Sequence, residues 1–296
     1  TPNIHSQLIH RRIASPIMTT ILDVLEKGTA FLEKKGISEP RLNMELMVAY
    51  ELGIKRMDLY LRFDQPLEKA ALASLREKLK KRSESFPLQH INKVVHFGNY
   101  EFFCDHRALI PRPETEELVD LVKKQLFTKP ARILDIGCGS GVLGLTLSKD
   151  LGPDCEQLTL ADLSTEALSL CEQNRKALKV EARLIESNLF SNITGNFDLI
   201  VANLPYIAEG EREKLEPEVL HDPEIALFSG PDGLDLLRLF CAECNAFLNT
   251  GGIVALEVGY DQGAIVAGFL REAGLTNISI GNDLNGIPRF PLAQKA

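Results

Sequence analysis

The chain has 296 residues, 45% of them hydrophobic and 25% charged, and its formal net charge at pH 7 is -8. This composition is ordinary for a soluble globular protein, and the length suits one large domain plus a small one. No apolar run approaches the roughly 20 residues that span a bilayer. The negative charge argues against a general nucleic-acid binder, whose phosphate contacts need clustered Lys and Arg. We therefore expect neither membrane association nor direct nucleic-acid recognition.

The first 17 residues differ from the rest because they contain no acidic residue, include Arg11 and Arg12, and precede Met18. An artificial leader, a targeting segment and an untidy natural N-terminus all fit this composition. The segment has no apolar core, which excludes a secretory signal. We expect a leader or disordered segment over residues 1–17, a natural start at Met18 and a cytoplasmic protein.

Residues 18–85 predict a small helical domain. Apolar residues recur at helical spacing in three segments, of which the second is Arg41–Leu52 and the third is Leu67–Leu79. The apolar positions of the first segment are Ile21, Val24, Leu25, Phe31 and Leu32. We interpret these residues as a substrate-docking domain, although a cap on the larger domain would give the same pattern.

Residues 86–110 change character and predict a β-hairpin that links the two domains. Aromatic and β-branched residues lie on both sides of Gly98-Asn99, a pair typical of tight turns. The hairpin would end near Phe103, just before the larger domain begins.

Strand and helix patterns alternate over residues 111–296. Strands are predicted at Arg132–Ile136, Leu158–Ala161, Ala182–Ile185, Phe197–Val201 and Ile253–Val258, and helices at Gly141–Lys149, Thr165–Ala177 and Leu234–Phe247. The tail adds two strands joined by a tight turn, at Asn277–Ile280 and Gly286–Pro291. This alternation predicts an α/β fold with a doubly wound, parallel, Rossmann-like sheet of seven strands.

Six cysteines are spaced irregularly along the chain, which argues against a disulfide framework. Cys241 and Cys244 form a lone C-x-x-C inside the apolar run Leu236–Leu248, which predicts a helix. The sequence offers no second cysteine pair and no histidine nearby at zinc spacing. We interpret both residues as buried structural thiols and expect no metal site.

The glycine-rich turn after the first predicted strand indicates the cofactor. Gly137, Gly139 and Gly141 follow a G-x-G-x-G spacing, whereas dinucleotide-binding turns follow G-x-G-x-x-G. Asp135 comes just before the first glycine, where a carboxylate would repel a pyrophosphate but can bind an ammonium. These two details favour S-adenosylmethionine over NAD.

Later strand ends supply further cofactor contacts. Asp162 ends the next strand, where a carboxylate typically accepts both ribose hydroxyls, although a helix N-cap is the alternative. Asn188 follows the third strand and can bind the adenine amine. The residues expected at the cofactor are Asp135, Gly137, Cys138, Gly139, Gly141, Asp162, Leu163, Asn188, Leu189 and Asn203.

The fourth predicted strand leads into Asn203, Leu204, Pro205 and Tyr206, which differs from the N-P-P-Y tetrad of amino methyltransferases only at Leu204. An amide nitrogen is a poor nucleophile because its lone pair is delocalised, so both N–H bonds must be held. The Asn203 side-chain oxygen and the Leu204 carbonyl can accept these hydrogens. Pro205 stiffens the turn, and Tyr206 can stack on the planar group. Leu204 keeps the carbonyl but loosens the loop, and a chance N-x-P-Y is the alternative.

The chain resembles the peptide-chain release factor glutamine methyltransferases from about residue 19 onward. The resemblance depends on Phe97–Phe102 and above all on Leu109–Glu116, where Thr115 offers a helix N-cap. It implies that the glutamine of the Gly-Gly-Gln loop of class I release factors is methylated, giving N5-methylglutamine and S-adenosylhomocysteine. It also implies that the helical domain helps to grip the factor. We expect the enzyme to be a monomer. The residues expected at the substrate are Asn203, Pro205, Tyr206, Phe103, Arg112 and Glu114. Phe103 fits a core aromatic equally well, and the charged residues of 109–116 could instead form structural pairs across the domain junction.

Three other functions stay open. A nucleic-acid amino methyltransferase, acting on adenine N6, cytosine N4 or guanine N2, would use the same tetrad but would usually carry a target-recognition domain. An inactive binding module is disfavoured by the intact Asp135, Asp162 and Asn203. A dehydrogenase is disfavoured by Asp135 and by the glycine spacing.

Overall fold

The computed structural model describes residues 18–125 and 131–296. The chain divides into two compact units, one ending at Leu88 and the other beginning at Gln89. None of the helices in the described part of the chain combines the length and apolarity needed to cross a bilayer. Residues 1–17, expected to be a leader, lie outside the described residues.

The first unit is a bundle of three helices, α1 (Ile21–Lys34), α2 (Pro40–Leu52) and α3 (Lys69–Ser83), with a 3-10 turn at Arg56–Leu61. A capping box starts α1, because Thr20 Oγ1 accepts from the Asp23 amide and Asp23 accepts from the Thr20 amide. The helices close on a core of Ile21, Leu25, Leu32, Met44, Met47, Val48, Leu59 and Leu75. The predicted helical spacing therefore follows from one shared apolar core.

A short helix, α4 (Leu88–Asn92), runs across the boundary between the units, and the predicted hairpin follows it. Its strands are β1 (Val94–Phe97) and β2 (Tyr100–Phe103), which pair antiparallel with Val94 opposite Phe103. Phe97 and Phe102 are buried and meet edge to face, which fixes the hairpin on the core of the second unit.

The second unit is built on a sheet of seven strands in the order β5-β4-β3-β6-β7-β9-β8. Its strands are β3 (Ala131–Ile136), β4 (Cys155–Asp162), β5 (Arg183–Glu186), β6 (Phe197–Asn203), β7 (Leu248–Glu257), β8 (Thr276–Asn282) and β9 (Pro288–Gln294). Strands β3 to β7 pair in parallel, whereas β9 is antiparallel to both β7 and β8. The seven-stranded sheet is confirmed, with one antiparallel end.

Helices cover both faces of this sheet. They are α5 (Pro113–Lys123), α6 (Val142–Leu151), α7 (Thr165–Leu178), α8 (Asp235–Cys244) and α9 (Gly263–Glu272). Alternate residues of one strand enter different cores: Ile133 packs with α5, α6 and α7, and Leu134 packs with α8 and α9. Strand β3 comes first in the chain among the seven strands, and it lies between β4 and β6 in the sheet. The strand order therefore reverses at β3, which leaves a crevice at the carboxyl ends of the strands.

Three expectations about helices were wrong or incomplete. Helix α9 was not predicted, although its buried Gly263, Val266, Ala267 and Leu270 follow helical spacing. The helix predicted to run to Phe247 ends at Cys244 and continues as a 3-10 turn. Helix α5 begins at Pro113 with Arg112 at the N-cap, so Thr115 is not the cap. Cys241 and Cys244 are buried, free thiols of α8.

Candidate active site

A cavity opens at the carboxyl ends of β3, β4, β5 and β6. Of the predicted cofactor residues, it is lined by Asp135, Gly137, Cys138, Gly139, Asp162, Leu163, Asn188, Leu189 and Asn203. Of the remaining predicted site residues, Leu204, Pro205 and Arg112 also line it. Strand ends that are far apart in sequence are thus brought to one crevice.

Glycine is required at Gly137 and Gly141 of the turn after β3 for different structural reasons. Gly137 has a φ of 71°, and a Cβ there would lie 2.8 Å from the Leu204 side chain, so a larger residue would push on the loop after β6. A Cβ on Gly141 would lie 2.6 Å from Cys171 Sγ. Gly141 is not among the lining residues, and its role is close packing of α6 against α7.

Asp135 is buried at the cavity wall, with 1% of its surface exposed. Its Oδ2 accepts from the Gly144 amide at 2.9 Å, whereas its Oδ1 has no hydrogen-bond partner among the residues that the structure describes. Burial raises the pKa of this carboxyl to about 7. An unpartnered carboxylate oxygen at a cavity wall is suited to a cationic donor such as the ammonium of S-adenosylmethionine.

Asp162 ties two loops of the cavity together. Its Oδ1 accepts from the Ser164 amide and its Oδ2 from the Gly139 amide, each at 2.8 Å. The cap of α7 is Ser164, whose hydroxyl accepts from Ala167, so the alternative that Asp162 is the N-cap was wrong. Each carboxylate oxygen retains a second lone pair for a hydroxyl donor.

Asn188 and Leu189 follow β5 and line the cavity near Leu163. Leu189 has a φ of 48°, and its carbonyl accepts from the Ser187 hydroxyl at 2.8 Å. This tight turn holds the exposed Asn188 at the mouth of the cavity. The neighbouring Leu163 is 49% exposed and adds an apolar wall.

Asn203 ends β6, and its side-chain nitrogen donates to Thr115 Oγ1 at 3.2 Å. This bond leaves the Asn203 oxygen as an acceptor at the cavity, next to the buried Leu204. Tyr206 does not line this cavity. Its carbonyl accepts from Gln262 at 3.0 Å, and burial raises the pKa of its hydroxyl to about 12.

The segment before α5 reaches the site through Arg112. Its guanidinium donates to Asp222 at 2.8 Å, and the Ile110 amide donates to the same carboxylate at 3.2 Å. Burial raises the pKa of Asp222 to about 6, while the positive charge of Arg112 acts in the opposite direction. Asp222 thereby anchors the loop that brings Pro223 and Ile225 to the cavity wall.

Besides Tyr206, two more predicted substrate residues stand apart from the cavity lining. Glu114 lies in the first turn of α5 and is not a lining residue. Phe103 is 42% exposed at the end of β2, where its backbone forms two hydrogen bonds with Asn174. Both residues keep their predicted substrate roles only as proposals.

Sequence reasoning missed Asp222 and Glu257, and it assigned Thr115 a different role. Glu257 ends β7 beside Asn203 and is 1% exposed. Burial raises the pKa of its carboxyl to about 7. The sequence did contain a signal for Glu257, because it is a carboxylate at the end of an otherwise apolar strand. Burying a charged side chain there is unfavourable unless a partner compensates for the lost hydration.

The sheet order, the glycine turn after β3 and the N-x-P-Y loop after β6 together define a Rossmann-like, S-adenosylmethionine-dependent methyltransferase. Residues 113–230 match the family described as Methyltransferase small domain, and residues 23–92 match the PrmC N-terminal domain. The release factor glutamine methyltransferase of Deinococcus radiodurans is 37% identical over 276 residues, which cover 93% of this chain and 98% of that protein. The enzyme of the same name from Geobacter sulfurreducens is 35% identical, with coverages of 93% and 96%. The chain belongs to the release factor glutamine methyltransferase family.

Proposed function

We propose that this chain methylates the side-chain amide nitrogen of the glutamine in the Gly-Gly-Gln loop of class I release factors. The products are N5-methylglutamine, S-adenosylhomocysteine and a proton, which the amide nitrogen loses to solvent when it gains the methyl group. The observation that carries the proposal is Asn203, whose nitrogen is held by Thr115 while its oxygen stays available at the cavity. An acceptor in this place suits a substrate that presents N–H bonds.

The residues present fit S-adenosylmethionine. The unpartnered oxygen of Asp135 would hold its ammonium, and Asp162 would accept its ribose hydroxyls. Asn188 and Leu189 would flank the adenine. When bound, the cofactor supplies a methyl group already activated by a sulfonium, so a strong general base is not required.

The catalytic contribution of the chain is positioning. The Asn203 oxygen and the Leu204 carbonyl each accept one amide N–H, which turns the nitrogen lone pair toward the incoming methyl. Pro205 restricts Leu204 to an extended backbone and so keeps its carbonyl in place. Exclusion of water falls to the apolar wall, which includes the exposed side chains of Leu163 and Ile225.

We further propose that the helical unit docks the release factor, with the site residues Tyr206, Phe103 and Glu114 contacting the substrate. The enzyme would act as a cytoplasmic monomer. An enzyme with a net charge of -8 suits a protein substrate better than a nucleic acid, whose phosphates it would repel. The nucleic-acid alternative is therefore not favoured.

The deciding experiment follows a labelled methyl group from S-adenosylmethionine to a purified release factor. A Gln→Ala change in its Gly-Gly-Gln loop is the matched control, and DNA and RNA are offered in parallel. Label on the unchanged factor alone is the expected result. Label on nucleic acid would contradict the proposed substrate, and label on none of them would favour an inactive binding module.

A further inference from the structure

Three residues from three elements meet behind the candidate catalytic loop. Asn203 ends β6 and Glu257 ends β7, and the two are direct partners in the parallel register of these strands. Thr115 lies in the first turn of α5 and accepts from the Asn203 side-chain nitrogen at 3.2 Å. Thr115 is 3% exposed and Glu257 is 1% exposed, so solvent hardly reaches them.

The Thr115 hydroxyl has a single hydrogen, and the Asn203 bond determines where it points. Because its oxygen accepts from Asn203, the hydrogen is free to be donated to Glu257. Glu257 is the strand neighbour of Asn203, and its buried Oε2 has no hydrogen-bond partner among the described residues, so it can accept this hydrogen. Burial raises the pKa of Glu257, and Thr115 and Asn203 both act to lower it. This arrangement allows donation to run from Asn203 to Thr115 to Glu257.

We infer that Thr115 and Glu257 are positioning residues that hold the Asn203 amide with its oxygen toward the substrate. The inference depends on the proposed function, in which that oxygen accepts an N–H of the substrate amide. A rotation of the Asn203 amide by half a turn would place its oxygen against Thr115 and the Glu257 carboxylate. The substrate amide would then face the Asn203 N–H donors and keep only the Leu204 carbonyl as an acceptor.

Protonation of Glu257 would allow the Asn203 side-chain amide to adopt either orientation. A protonated carboxyl can donate to Thr115, whose hydrogen can then turn toward the Asn203 oxygen. The charged groups that act on Glu257 are Glu114 of α5, which raises its pKa, and Arg289 of β9, which lowers it. Arg289 is itself paired with Asp283 at 2.8 Å. The Glu257 charge adds to the effect of burial in raising the pKa of the Tyr206 hydroxyl, so Tyr206 stays neutral.

The test compares four single substitutions in the full chain. Thr115→Val removes the hydroxyl at constant shape, Thr115→Ser restores it, and Glu257→Gln removes the charge. Thr146→Val is the matched control, because Thr146 is equally buried and its hydroxyl has no hydrogen-bond partner in the described part of the chain. Assays use saturating S-adenosylmethionine, so that Asp135, whose pKa is also raised to about 7, stays engaged.

Thr115→Val and Glu257→Gln should each lower kcat toward the release factor by about 10- to 100-fold, because a small misplacement of the amide suffices. Thr115→Ser and Thr146→Val should stay within about threefold of the unchanged enzyme. Cofactor Kd and Tm should be preserved in all four. Unchanged kcat in Thr115→Val, or a loss of kcat matched by lost cofactor binding, would overturn the inference.

A second measurement decides the inference even without turnover. The side-chain amide signals of Asn203 in ¹⁵N spectra, assigned by their loss in Asn203→Ala, should shift as the pH passes about 7. Glu257→Gln should abolish this shift and Thr146→Val should keep it. An unchanged shift in Glu257→Gln would refute the role of Glu257, whereas an inactive wild-type enzyme would refute the proposed function alone.

Discussion

Single residues at the strand ends carry most of the proposed chemistry, and they were also the easiest to predict. Asp135, Asp162 and Asn203 each follow an apolar strand, and the fold brings all three to one cavity. Thr115 and Asp222 could not be assigned in this way. Their hydrogen-bond partners are 88 and 110 residues away along the chain, so these contacts cannot be predicted from a local sequence pattern.

Removing the Asn203 side chain should impair the methyl transfer and spare the cofactor. Asn203→Ala deletes one of the two acceptors for the substrate amide, so kcat should fall by about 100-fold or more. The Kd for S-adenosylmethionine, measured by calorimetry, should change little. A large loss of cofactor affinity with unchanged turnover would contradict the role assigned to Asn203.

Asp135 should make the cofactor-free protein less stable at higher pH. Its pKa is raised from 3.8 to about 7, so its favourable contribution is complete below about pH 4 and is lost as the pH rises to about 7. Asp135→Asn should therefore raise the Tm of the cofactor-free protein at pH 8, by an amount corresponding to about 1–3 kcal/mol. The same change should weaken S-adenosylmethionine binding, and a Tm that does not increase would contradict this account.

At the scale of elements, the strands of the sheet were predicted within a few residues because their apolar runs end at turn-forming residues. Helix α9 was missed although its buried residues recur at helical spacing, because small and apolar residues also occupy its exposed side and weaken the contrast between the two faces. Its first residue shows why glycine is needed there: a Cβ on Gly263 would lie 2.2 Å from the Pro288 carbonyl. Such close approaches become visible only once β9 is in place.

The loop between Ile207 and Ser229 depends on the ion pair of the buried Asp222 with the half-buried Arg112. Asp222→Ala would leave a guanidinium and the Ile110 amide without their acceptor, so urea unfolding should show a loss of about 3 kcal/mol. Glu224→Ala is the control in the same loop, because its pair with Arg212 is solvent-exposed. That change should cost at most about 1 kcal/mol. Equal losses in both variants would contradict the anchoring role of Asp222.

At the scale of the whole molecule, the proposed division of labour assigns docking to the helical unit and chemistry to the sheet unit. The sequence predicted both units, but a cap and a docking module share the same helical spacing. A chain lacking residues 1–84 should bind S-adenosylmethionine with unchanged Kd, whereas its kcat/KM toward the intact release factor should fall at least tenfold. Methylation of a short Gly-Gly-Gln peptide is the control and should persist. Full activity toward the intact factor would reduce the helical unit to a cap.

The antiparallel end of the sheet has a consequence for synthesis. Strand β9 lies between β7 and β8, although both of these precede it along the chain. A ribosome that has made everything up to Gly286 has therefore produced β8 without its partner and β7 with one bare edge, and unpaired edges invite aggregation. The sheet unit can close only after Pro288–Gln294 has emerged. Nascent chains halted before Pro288 should be cleaved readily by a protease, and full-length chains held on the ribosome by an added C-terminal linker that spans the exit tunnel should resist it.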